Sequence, residues 1–138
     1  MTEIRQASLK EFFQRLAEKL ARPAWTWDPR FGCVLCELKV PEEREDVLAV
    51  LRDLFSDTWT SAEIADAPDV VQTVRRHLGG VMFGQILFTC DSADEGTAYC
   101  AWWPWGDGRT TSIRVGWADG PEEGVAVEAT LRDAFRVS

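Results

Sequence analysis

Cys33-Val34-Leu35-Cys36 sets two thiols at a spacing used by zinc centres and redox sites, and Cys90 and Cys100 bring the thiols to four. Four thiolates would suffice for a structural zinc ion. The pair, however, encloses Val and Leu in a strand-like run, and strand positions three apart point to opposite faces. A thioredoxin-type pair would open a helix, which this one does not. The cysteines are therefore expected to be structural thiols, with no metal. His77, the single histidine, follows Arg75-Arg76 at the end of a helical pattern. There an imidazolium suits the helix dipole, and no nearby nucleophile or orienting carboxylate makes it a general base. Cys90-Asp91, at a strand end, lacks a base of its own. Asp91, Asp94 and Glu95 share a loop but not the order of an EF-hand. Glu42, Glu43, Glu45 and Asp46 crowd a first helical turn, where acids stabilise the helix. Gly79-Gly80 lacks the Lys-Ser/Thr of a phosphate loop, and Gly106-Asp107-Gly108 sits in a hairpin rather than before a helix. No catalytic residue, metal ligand or cofactor site is expected.

Aromatic chemistry remains. Trp102, Trp103 and Trp105 fall within four positions, followed by Gly106-Asp107-Gly108 and then by Thr110 to Trp117. Aromatic and β-branched runs around a Gly-Asp-Gly turn read as a β-hairpin. If Gly106 to Arg109 forms the loop, Trp105 lies opposite Thr110, Trp103 opposite Ser112, Ala101 opposite Arg114 and Tyr99 opposite Gly116. Ala98, Cys100, Trp102, Ile113, Val115 and Trp117 then share the core face. Tyr99, Trp103, Trp105 and Arg114 share the other, a composition suited to a protein-binding surface. A loop one residue longer or shorter would exchange the faces. Alternatively, a helix or the N-terminal segment covers these rings as a second small core. The expected partner-binding set is Tyr99, Trp103, Trp105 and Arg114 with the carboxylates of Asp91, Asp94, Glu95 and Asp107.

The elements that must hold these groups follow from periodicity. Ser8-Leu9-Lys10-Glu11 forms a capping box ahead of a helix with Leu9, Phe12, Phe13, Leu16 and Leu20 on one stripe. Asp28-Pro29-Arg30 turns the chain into a strand over 31–40. Pro41 opens a second helix with Val47, Leu48, Val50, Leu51, Leu54 and Phe55 as its apolar face. Thr60-Ser61-Ala62-Glu63 caps a short turn in an otherwise irregular stretch. Pro68-Asp69 starts a third helix that Gly79-Gly80 stops. Strands are expected over 81–90, 97–105 and 110–117, and a last helix from Asp119 to about Arg136. This order implies one α+β domain over 1–138, an antiparallel sheet of four to five strands with helices mainly on one face and the other face partly wet.

The chain has 138 residues, a size that supports a continuous core, and no apolar run long enough to span a bilayer. The first residues lack the apolar segment of an export signal, and a cytoplasmic location is expected. Net charge is −8, from 23 acidic and 15 basic residues. Residues 1–30 carry six basic and four acidic groups, so the excess of acid lies beyond them. Such a field repels nucleic acid and speeds encounter with a basic protein.

Small size, acidity, mixed α/β pattern and the stretch Ala101-Trp102-Trp103-Pro104-Trp105-Gly106-Asp107-Gly108 beside the acidic loop 91–96 resemble bacterial immunity proteins. That resemblance implies a binding protein that neutralises a toxin by occluding its active cleft with an acidic, aromatic surface. Type III secretion chaperones are similar in size and charge and imply an adaptor instead. A small enzyme built around Cys90 or His77 is the third alternative.

Overall fold

From Thr97 to Trp102 every side chain of the longest strand is buried, on both faces. A strand sealed on both sides needs a layer above and a layer below, and this requirement organises the molecule. The computed structural model describes residues 9–20, 24–92, 96–118 and 124–137. They form α1 (Leu9–Leu20), β1 (Thr26–Asp28), β2 (Cys33–Leu38), α2 (Arg44–Leu54), β3 (Asp57–Thr60), α3 (Asp69–Leu78), β4 (Ile86–Ser92), β5 (Gly96–Pro104), β6 (Thr111–Ala118) and α4 (Gly124–Ala134). The fold is α+β: four helices and one antiparallel sheet of six strands in the order β1-β2-β6-β5-β4-β3.

The larger core joins Phe13 and Leu16 of α1, Leu48 and Leu51 of α2, and Leu131 of α4 to the sheet face carrying Val34, Phe88, Cys100, Trp102, Ile113 and Val115. The opposite face carries Cys33, Leu87, Tyr99 and Ala101, and α3 covers it with Val71, Val74 and Leu78. Three helices thus share one face, as expected, but the other face is not left partly wet. Tyr99, Ala101 and Trp103 are as apolar as the residues between them, the mark of a doubly covered strand.

The sheet has six strands where four to five are expected; its short edge strands are β1 and β3, of three and four residues. A bend at Gly32, whose φ is +65°, joins β1 to β2, with the Gly32 N–H donating to the Asp28 carbonyl at 2.8 Å. Two element starts also move. A 3₁₀ turn at Pro41–Glu43 precedes α2, which begins at Arg44. The strand expected from Val81 begins at Ile86, because residues 82–85 close a tight turn. α3 ends as expected, with Gly79 at φ +88° and the Gly79 and Gly80 N–H groups donating to the carbonyls of Arg76 and Arg75. The Thr60–Glu63 turn forms too, Glu63 Oε1 accepting from the Thr60 N–H and hydroxyl at 3.1 and 2.8 Å. Ser8 of the capping box and Asp119 to Glu123 before α4 lie outside the described residues. No helix among the described residues is long and apolar enough to cross a membrane.

Candidate interaction surface

Pairing in the β5–β6 hairpin follows the register that a Gly106–Arg109 loop dictates: Trp103 opposite Ser112, Ala101 opposite Arg114, Tyr99 opposite Gly116. Trp105 continues it, its N–H donating to the Thr110 carbonyl at 2.8 Å. Asp107 then builds the loop from within. Its Oδ1 accepts from the Arg109 and Thr110 N–H groups at 2.8 and 2.9 Å, and its Oδ2 from the Thr110 hydroxyl at 2.8 Å. Those bonds favour the ionised form and hold the Asp107 carboxyl at about 2, below its ordinary 3.8. Arg44, at the start of α2, reaches 64 residues along the chain to donate from Nη2 to the Gly108 carbonyl at 2.9 Å. The Trp105 indole N–H donates to Ser112 Oγ at 2.7 Å, which fixes the ring while leaving 46% of the residue exposed.

A second turn lies at the same end of the sheet. The Gln85 N–H donates to the Met82 carbonyl at 2.9 Å, while the Gln85 side-chain oxygen accepts from the Met82 N–H at 2.7 Å. Gly84, at φ +89°, completes the bend. Val81 is buried beneath it, so Met82 and Phe83 are presented outward, 66% and 96% exposed. Across the sheet, β2 ends at Leu38 opposite Thr111, and Val40, 45% exposed, follows it. These four are the large apolar side chains that stand exposed among the described residues. Register puts all four at one end, where β2 and β5 finish and β4 and β6 begin.

The expected partner-binding residues separate into three places. Trp105, Asp107 and the half-buried Trp103 sit at or next to the hairpin tip. Tyr99 and Arg114 correct the expectation of one open face, because α3 covers it. Tyr99 is 1% exposed, and its ring lies over Gly116 so closely that a Cβ there would stand 2.6 Å from the hydroxyl oxygen. Its hydroxyl meets Cys33, and burial raises both acids, Cys33 to about 12. Neither is an activated nucleophile. Arg114 is turned inward: Nε donates to Asp28 Oδ2 at 3.2 Å in a largely buried pair, and the guanidinium stands 5.2 Å over the Phe31 ring. Asp91 lies at the far end of β5, paired with Thr97, whose hydroxyl donates to it at 2.8 Å. Over the nine residues of that strand this is a separation of about 25 to 30 Å from the tip. Asp94 and Glu95 lie outside the described residues.

His77 is exposed at the end of α3, its Nε2–H donating to the Phe31 carbonyl at 2.7 Å. None of the four cysteines is joined in a disulfide. Cys33 belongs to the core beneath α3 and Cys100 to the opposite one. Met82, Phe83 and Val40 were not singled out in the sequence. The signal that could have found them is Gly84 after Phe83, a glycine that interrupts an apparent strand. Comparison with protein-family models, curated proteins and solved structures returns no match.

Proposed function

We propose that this chain is a cytoplasmic protein-binding inhibitor of the bacterial immunity kind, which docks on a basic toxin domain and occludes its cleft without turning over a substrate. The observation that carries this reading is the gathering of Val40, Met82, Phe83 and Trp105 at one end of the sheet. Apolar groups scattered singly over a surface mean little, whereas a contiguous set rimmed by polar groups marks a contact surface. Both turns that present them are closed by their own hydrogen bonds, so little conformational freedom remains to be lost on binding. The exposed carboxylates of Glu42 and Glu45 flank Arg44, which bonds the Gly108 carbonyl at this end, on a chain of net charge −8. Those charges speed encounter with a basic partner, and the rings slow its departure. Asp107 contributes through the shape of the loop, since its oxygens are already engaged there.

The test is co-expression with any toxic protein that is encoded beside this chain's gene. Wild type restores growth and forms a complex. The double variant Trp105→Ala, Phe83→Ser fails to do so, with Kd raised by at least about 30-fold and folding stability changed by about 1 kcal/mol or less. A toxin left fully active by the wild type, or bound equally by the double variant, overturns the proposal.

A further inference from the structure

Away from the sheet end, an open groove of about 550 Å³ runs between α1, α4 and the chain just before β1. Its floor is aromatic: Trp25 is half-buried and meets the buried Phe135 edge-on, with centroids 4.6 Å apart. Gln14 and Glu18 line it from α1, and Asp133 and Arg136 from the end of α4. Among the described residues neither Glu18 nor Asp133 is ion-paired, and no cation stands over Trp25.

Two residues along the chain, the same chemistry is complete. Trp27 packs against the same core, the Arg132 guanidinium stands 4.2 Å over its ring, and Glu128 pairs with that guanidinium at 3.1 Å. A ring, a cation and a carboxylate are thus assembled entirely from the protein at Trp27. At Trp25 the ring and two carboxylates are present, from the α1 and α4 sides of a groove of ligand size, and no protein cation stands over the ring among the described residues. Indole is the aromatic group that attracts cations most strongly, and the attraction is greatest for weakly hydrated ions already partly withdrawn from water. The geometry points to a binding site for a small organic cation, a quaternary ammonium or an alkylated guanidinium, seated on Trp25 between Glu18 and Asp133. Arg136 on the rim bears the same charge as the ligand and opposes it.

Choline chloride is the probe, titrated into the ¹⁵N-labelled protein, with sodium chloride and the uncharged isostere 3,3-dimethylbutan-1-ol as controls. The Trp25 indole N–H and the amides of residues 14–18 and 133–136 shift saturably with choline alone, with Kd on the order of 1–10 mM. Glu18→Gln and Asp133→Asn change exposed side chains, so folding is preserved, and each weakens binding about two- to five-fold. Arg136→Gln tightens it about two-fold. Equal shifts with the uncharged isostere, or choline bound as tightly by both carboxylate variants as by the wild type, overturn the assignment.

Discussion

Tyr99 lies within β5 and Trp105 directly after its end, and their surroundings differ in kind. Around Tyr99 each polar group is answered from inside: the hydroxyl meets Cys33, Arg114 pairs with Asp28, and α3 closes over the ring. Around Trp105 the polar groups are answered just as fully, by Ser112, by the Asp107 bonds and by Arg44. What differs is apolar area. The Tyr99 ring at the root of the hairpin is sealed, while the tip, with Phe83 and Met82, keeps apolar surface exposed. α3 runs over the root: His77, in its last turn, bonds the Phe31 carbonyl beside the β1–β2 bend, at the end of the sheet opposite the hairpin tip. A helix covers only the strand length it runs along.

Substitutions can break this contrast, and the largest effect belongs to the root. Tyr99→Ala removes a ring sealed from solvent and is expected to cost about 3–5 kcal/mol in denaturant unfolding. A cost near that of an exposed site would mean that α3 does not seal the face. Next comes Gly116→Ala. The added methyl would press on the Tyr99 ring, with an expected loss of about 1–3 kcal/mol. Tyr99→Phe in the Gly116→Ala background removes the nearest atom and should recover part of it.

The smallest effect belongs to the tip and is read as pH dependence. The Asp107 carboxyl is held below its ordinary value of 3.8, at about 2. Its contribution to the loop is therefore complete above the ordinary value and lost as pH falls through the lower one. The Trp105 indole N–H resonance should report loosening of the tip between about pH 4 and pH 2, and Asp107→Asn should abolish that limb. An unchanged profile in the Asn variant would remove Asp107 from the account of the tip.

Local signals in the sequence carried the hairpin register, the glycine stop of α3 and the turn closed by Glu63, since each depends on residues a few positions apart. β1 and β3 were harder to read, because three or four residues give no periodicity to measure. The covering of the Tyr99 face by a helix stood as one of two readings of the sequence, and the inward turn of Arg114 was not legible. Asp28 and Arg114 lie 86 positions apart, and a guanidinium on an aromatic face reads equally well as a contact surface until its partner strand is placed. The tip was half legible: Trp105 stood out by composition, whereas Met82 and Phe83 passed as part of a strand. Asp91 was grouped with the rings by charge, and the length of β5 keeps it apart from them.

The same brevity of β1 and β3 bears on how these molecules behave when crowded. A long, flat border would offer a row of free amide and carbonyl groups on which a neighbour could add a further strand, the first step towards fibrils. Here each border offers three or four residues, and the outer strand on one side begins with Asp57 and the one on the other ends with Asp28. Layer-by-layer growth therefore finds a template of only three or four residues at either border of the sheet.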